Sequence, residues 1–156
     1  EVLAAAPNHR FFIEMKDGQG IGRATAQVIQ EANAADRCTV ASISPLFLEE
    51  FHAHAPQVAT AYDLLSAADM LNALRGGDWT AYQPPHRMLA LSPKLKNRFN
   101  ITSEEFTRIK EKGILICMFT LNSPEEMQQA IEIGADNILT DRPSLLATLI
   151  KKQQED

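Results

Sequence analysis

Glu14 and Lys16 stand two residues apart in the run Phe11-Phe-Ile-Glu-Met-Lys16. In a strand, side chains two apart share a face, so a carboxylate and an ammonium lie side by side. Burying such groups is costly unless they pair or bind something. One reading is an ion pair on a sheet rim with no ligand. The other is a site, in which the carboxylate serves a hard cation and the lysine places a point charge near a phosphate. Polar side chains at other predicted strand ends could share that rim: Ser42, Asn122 beyond the run that ends at Phe119, and Asp141 beyond Leu139. The histidines point elsewhere. His52 and His54 are two apart on a predicted helix and face different sides, so they cannot form a two-histidine metal site. His9 and His86 fall in predicted loops and read as surface residues. No C-x-x-C, H-E-x-x-H or serine-histidine-acid pattern occurs. Trp79 and Tyr82 read as core packing rather than as walls of a ligand site.

The elements that must position these residues alternate. Phe11–Lys16 reads as a strand, Gly18–Gly22 as a loop and Arg23–Ala35 as a helix with Ala24, Val28, Ile29 and Ala32 inward. A strand is predicted over Cys38–Ile43 and a proline-first helix over Pro45–Ala53. Val58–Tyr62 reads as a strand, followed by a helix through Met70, Leu71 and Leu74 that ends at Gly76-Gly77. Thr80–Gln83 reads as one more short strand. The proline-broken stretch Pro84–Ile101 reads as a long loop. Thr102-Ser-Glu-Glu105 and Ser123-Pro-Glu-Glu126 have the pattern of capping boxes that open helices. Between them Ile114–Phe119 is continuously apolar, as a strand covered on both faces should be. Asn137–Thr140 is a short strand, and Asp141-Arg-Pro143 opens a last helix through Leu145, Leu146, Leu149 and Ile150. Strands that alternate with helices imply a parallel sheet with covering helices. An open doubly wound sheet and a (β/α)8 barrel both fit. A whole barrel takes roughly 250 residues, so this chain reads as part of one. The glycines at 18, 20 and 22 do not have the G-x-G-x-x-G spacing of a dinucleotide loop.

The chain has 156 residues, enough for one domain with a real core. Its net charge of −5 gives no electrostatic reason to expect nucleic acid as a partner. The basic run Lys94–Arg98 reads as a solvated loop. Cys38 and Cys117 each sit in an apolar run and read as buried free thiols, which leaves the compartment open, with the cytoplasm favoured. No run is long and apolar enough for a membrane span. The opening "EVLAAAPNHR" reads as the tail of a helix and a loop, so the sequence is expected to begin inside a larger protein.

Four blocks bear a family resemblance. "FFIEMK" resembles the I-E-I-K strand of the glycerophosphodiester phosphodiesterase family. "TVASI", with Leu48 and Pro56 downstream, is similar to its V-x-S-S-F strand and the leucine and proline after it. "GILICMFTLNSPEEM" resembles its G-x-x-V-x-V-W-T-V-N strand and following helix start, and "GADNILTDRP" its G-V-D-G-I-I-T-D-x-P close. The blocks stand in family order and cover nearly the whole chain.

The resemblance implies that residues 1–156 are one partial domain, the C-terminal portion of a (β/α)8 TIM barrel of the phospholipase C-like phosphodiesterase type. It implies metal-dependent hydrolysis of a small glycerophosphodiester to glycerol 3-phosphate and an alcohol, with magnesium or calcium as the divalent cation. Residue by residue, Glu14 matches a metal carboxylate, and Lys16 the lysine beside metal and phosphate. Phe119 stands where tryptophan usually lines the substrate cleft, and Ile43 where phenylalanine is usual. Thr120, Asn122, Thr140 and Asp141 match positions with structural or rim roles. The family's H-R-G, E-N-T, E-x-D and H-D blocks are absent and are expected upstream of Glu1. They carry both general acid–base histidines and the other metal carboxylates. No catalytic residue is therefore expected within this chain, and the isolated chain is expected to be inactive. Open strand edges would favour association, which leaves a homo-oligomer open. Rival readings are a non-catalytic scaffold barrel, another phospholipase C-like phosphodiesterase, and an unrelated parallel α/β protein.

Overall fold

Alternation of strand and helix carries through the computed structural model, which describes residues 1–155. In chain order it has α1 (Val2–Ala5), β1 (Phe11–Met15), α2 (Ile21–Glu31), β2 (Cys38–Ser42), α3 (Pro45–His54), β3 (Ala59–Thr60) and α4 (Leu64–Gly76). Then come β4 (Met88–Leu91), α5 (Pro93–Phe99), α6 (Ser103–Glu111), β5 (Leu115–Met118), α7 (Pro124–Glu132), β6 (Asn137–Ile138) and α8 (Pro143–Glu155). The chain divides into two units, Glu1–Met88 and Leu89–Asp156. Among the described residues the strands form two three-stranded sheets, ordered β1-β2-β3 and β4-β5-β6, and no closed barrel. The β1–β2, β2–β3 and β5–β6 pairs are parallel, so the class is α/β.

In the first unit, period-two alternation sorts β1 and β2 into two faces. Phe11, Ile13 and Met15 join Cys38 and Val40 in a core closed by Ala26 and Ile29 of α2 and by Leu48 and Phe51 of α3. Each large aliphatic or aromatic side chain buried there contributes about 1.5–3 kcal/mol. Glu14 falls on the opposite face. The helix α2 starts at Ile21, two residues earlier than predicted, behind Gly20 at φ 74°. Its buried stripe is Gly22, Ala26 and Ile29, whereas the predicted inward residue Val28 is 55% exposed. The shift has a steric cause. A Cβ on Gly22 would lie 2.7 Å from the Phe47 carbonyl oxygen and from the Phe51 nitrogen, so α2 meets α3 on its bare-glycine side. The Gly22 amide donates to Glu50 Oε2 at 3.0 Å, which gives an orphan N–H at the start of α2 an anionic acceptor. At the other end of the unit, Asp63 caps α4: its carboxylate accepts the amides of Leu65 and Ser66 at 2.8 and 3.1 Å.

Two expectations fail between Trp79 and Ile101. Thr80–Gln83 forms no strand; Asp78–Thr80 is a short 3₁₀ turn instead, with Trp79 buried and stacked on Tyr82. The stretch Pro84–Ile101 is not a loop, because it holds β4 and α5. The Ser92 hydroxyl accepts the Leu95 amide at 3.2 Å and Pro93 takes the first helical position, so a proline read as a breaker is an N-terminal signal. Lys94, Lys96 and Arg98 consequently lie on a helix.

In the second unit the Thr102 capping box is complete, with both reciprocal bonds formed. At Ser123 only half of it forms. The hydroxyl accepts the Glu126 amide, but the Glu126 carboxylate takes the Ser123 hydroxyl instead of the backbone N–H. The chain entering β6 is held by Asp136, which accepts the Ile116 amide at 2.8 Å and pairs with Lys110 at 3.2 Å. The Lys110 ammonium also donates to the Gly134 carbonyl. Cys38 and Cys117 are buried free thiols, as expected.

Candidate active site

Glu14 is in β1 and Lys16 follows its last residue. They form an ion pair of 3.1 Å, with side chains 38% and 77% exposed respectively. The β1–β2 register sets Glu14 against Ala41 and Met15 against Ser42, so one further step puts Lys16 beside Ile43, itself 78% exposed. By strand period, Glu14 and Lys16 with Ala41 and Ile43 lie on the face turned away from the helix-packed core, opposite Met15. An ion pair this exposed contributes about 0–1 kcal/mol. Its charges are therefore not committed to holding the fold.

Ser42 is not part of that exposed pair. It is buried, donates to the Met15 carbonyl at 2.8 Å and accepts the Ser44 amide at 3.1 Å. Those bonds fasten the carboxyl ends of β1 and β2 and leave the hydroxyl no free role.

Phe119, Asn122 and Asp141 belong to the second unit. Phe119 directly follows β5, is half-buried, and donates its amide to the Leu91 carbonyl at 3.0 Å. Asn122 is the centre of a clasp. Its Oδ1 accepts the Thr140 hydroxyl at 3.1 Å and the Asp141 amide at 3.0 Å, and its Nδ2 donates to Asp141 Oδ2 at 2.8 Å. Arg142 Nη1 donates to the Asn122 carbonyl at 3.2 Å. The clasp ties the loop after β5 to the loop that opens α8, which is a positioning role.

The metal expectation can be tested on these groups. Magnesium and calcium take about six oxygen ligands. Among the described residues no group of three or more histidine, cysteine or acidic side chains is placed to hold a metal. Glu14 offers one carboxylate, with an ammonium already 3.1 Å away. The residues present can supply a ligand, but they do not make a site.

Sequence reasoning placed His86 on the surface and missed a polar cluster in the first unit. Thr60 Oγ1 lies 2.9 Å from His52 Nε2 and 2.8 Å from His86 Nδ1, and His86 Nε2 is 3.9 Å from Asp63 Oδ2. Burial pushes the His52 imidazole below its ordinary pKa. Burial and the neighbouring His52 also lower His86, and Asp63 opposes that shift only partly. For Asp63 itself, burial alone would raise the carboxyl, but the Ser66 hydroxyl and the amides of Ser66 and Leu65, with His86, hold it below the ordinary range. The arrangement resembles an acid–histidine–hydroxyl relay, yet it cannot act as one. Thr60 is buried, 3.9 Å exceeds a hydrogen bond, and the register pairs Thr60 with Val40 on the core face, away from Glu14. The signal available in the sequence was the apolar run Met88-Leu-Ala-Leu91 directly after His86-Arg87, which marks a buried neighbourhood.

A profile of the glycerophosphoryl diester phosphodiesterase family matches residues 5–145. The chain belongs to that family. A glycerophosphodiester phosphodiesterase of Caldanaerobacter subterraneus subsp. tengcongensis is 26% identical over 146 residues, covering 90% of this chain and 55% of that protein. Among solved structures, a glycerophosphodiester phosphodiesterase from Parabacteroides distasonis superposes with a TM-score of 0.72 at 18% identity, covering 93% of this chain and 58% of that one. An Oleispira antarctica phosphodiesterase in complex with the product sn-glycerol-3-phosphate gives 0.68 at 18% identity, over 91% of this chain and 55% of that one. The chain has the α/β fold of these structures and spans about half the length of the curated relative.

Proposed function

We propose that the protein containing this chain hydrolyses glycerophosphodiesters to glycerol 3-phosphate and an alcohol, and that residues 1–156 form part of one TIM-barrel catalytic domain. The observation that carries the reading is the exposed Glu14–Lys16 pair at the carboxyl end of β1, where parallel α/β folds place functional side chains. The match to the family adds the substrate class, and the Oleispira relative holds the product named above.

In this reading Glu14 supplies one ligand to a divalent cation, magnesium or calcium, and Lys16 sets a positive charge against the phosphate. A bound cation would supply charge neutralisation at the phosphoryl oxygens. Phe119 is assigned a substrate contact from the family block it occupies. Phosphodiester hydrolysis also needs a general base and a general acid within hydrogen-bond reach of the reacting groups. His52 and His86 are engaged with Thr60 on the core face, and the family's two acid–base histidines fall in blocks that this sequence does not contain. The chain of 156 residues is therefore proposed to lack hydrolytic activity by itself.

The test compares this chain with a longer form that carries the missing family blocks, measuring glycerol 3-phosphate release from glycerophosphocholine with and without EDTA. The long form should be active and lose activity to the chelator. Its Glu14→Gln variant should lose at least about a hundredfold in kcat/KM, the loss typical of removing a group that acts in the transition state, while its melting temperature stays unchanged. Phe119→Ala should raise KM. Activity in the isolated chain, or chelator-resistant activity in the long form, overturns the reading.

A further inference from the structure

The first unit holds one cluster of titratable groups that the proposed reaction does not use. It joins three parts of the chain on the core face of β3. His52 comes from the last turn of α3, Thr60 from β3 and His86 from the segment leading into β4. The same segment is also paired to the sheet through its backbone. Ala61 and Met88 form a lone parallel bridge, with the Arg87 amide donating to the Thr60 carbonyl at 2.9 Å and the Tyr62 amide to the Met88 carbonyl at 2.8 Å.

The hydroxyl of Thr60 sets the rule for this cluster, because it has one hydrogen to give and lone pairs to accept. With both imidazoles neutral, one ring donates to Thr60 Oγ1 and Thr60 donates to the other. Adding one proton leaves that chain intact. Adding the second makes both facing nitrogens donors, so the Thr60 hydrogen loses its acceptor in a buried position. It also sets two cations with ring centroids 5.8 Å apart. The surroundings give little relief. From α3 the cluster is faced by His52 with the Phe51 ring at its edge. From the chain after β3 it is faced by Tyr62, whose ring lies 5.0 Å from His86 and whose hydroxyl bonds that of Tyr82 at 3.1 Å. From the start of α4 it is faced by Asp63. The charged groups acting on His86 are His52 and Asp63. Asp63 already accepts from Leu65, from the Ser66 amide and from the Ser66 hydroxyl, and it is one carboxylate against two imidazoliums. The depressed affinity of both histidines for protons agrees with this balance.

We propose that His52, Thr60 and His86 form an acid-sensitive latch, which holds the segment entering β4 onto β3 while the imidazoles are neutral and releases it when both are protonated. The sign follows from linkage. A histidine whose pKa is lower in the folded chain stabilises the latched form fully above the unfolded value of about 6.5, and that contribution is lost as pH falls through the folded value.

Amide hydrogen exchange on the 156-residue chain, corrected for intrinsic rates, tests the latch at pH 7.5 and at pH 5. Protection of the Arg87 and Tyr62 amides should fall by about tenfold or more on acidification, the factor for one pK unit of linkage. The β1–β2 ladder amides should change less. In a His52→Gln, His86→Gln double variant this acid dependence should vanish. Should that variant fail to fold, NMR titration of the two imidazoles in the wild-type chain decides, because the latch requires both to titrate below 6.5. Acid-independent protection in the wild type, the same acid dependence in a folded double variant, or imidazoles titrating at or above the ordinary value would each overturn the proposal.

Discussion

Gly22→Ala tests whether the α2–α3 approach governs the first unit. The new Cβ would stand 2.7 Å from the Phe47 oxygen, 2.7 Å from the Phe51 nitrogen and 2.9 Å from Glu50 Cβ. Ordinary contact begins at 3.4 Å, so the helices must part by about 0.7 Å, the difference between those two distances. The obstructing atoms are mostly backbone, so no side-chain rotation relieves them. Overpacking of this kind costs about 1–3 kcal/mol. Parting the helices also stretches the bond from Gly22 to the Glu50 carboxylate, a class of bond worth about 1.5–3 kcal/mol when intact. Alanine returns up to about 1 kcal/mol of helix propensity, though less at a helix start. The expected net loss is about 2–3 kcal/mol, read as a fall in melting temperature of about 4–12 °C for a chain of this size. Gly76→Ala is the matched control, because nothing lies within 4 Å of its Cβ and its φ is ordinary. That change should stabilise the chain by about 0.4–1 kcal/mol. If urea unfolding gave Gly22→Ala the same small gain, the steric account of the α2 stripe would be wrong.

Asp63→Ala removes the cap of α4 and should cost about 0.5–2 kcal/mol near neutral pH. Because the folded Asp63 carboxyl lies below its ordinary value, this difference should be present above about pH 3.9 and disappear as pH falls through the folded value; urea melts at pH 6 and pH 2.5 measure it. Cys117 is buried and its thiol is pushed up to about 11, so iodoacetamide at pH 7.5 should label it only after unfolding, as mass spectrometry of native and denatured chains would show. Asn122→Ala should cost about 0.5–1.5 kcal/mol, since it removes the exposed bonds that Thr140 and Asp141 share, and hydrogen exchange should rise at the Asp141 amide before it rises elsewhere in the second unit.

What could be read from the sequence was set by how local its cause is. The Thr102 cap involves residues three apart, and both of its bonds form as the pattern predicts. Glu14 and Lys16 share a face because strand period depends on nothing distant, and the pair is there. The inward stripe of α2 was not legible, because it depends on where α3 passes, 28 residues away at the Gly22–Glu50 bond. His86 reads as a loop residue by its neighbours, and partners far off in sequence, Thr60 26 residues earlier among them, hold it inward. Met88–Leu91 was lost between prolines, although Ser92-Pro93 is as regular a helix start as Ser44-Pro45, which was read correctly.

The same contrast bears on which polar groups act. Among the described residues no buried side-chain nitrogen or oxygen lacks a hydrogen-bond partner. Ser42, Thr60, Asp63 and Asn122 each hold two or more partners, and freeing any of them would cost a bond that holds the fold. Glu14 and Lys16 have each other at 3.1 Å in solvent, which contributes almost nothing to stability. A ligand can displace that pairing at little cost, whereas displacing Thr60 from its histidines would strand a buried hydroxyl. This asymmetry supports the proposed reading, in which the exposed pair rather than the better-ordered histidine cluster meets the substrate. It is also why Glu14→Gln should remove activity from the long form while leaving its melting temperature where it was.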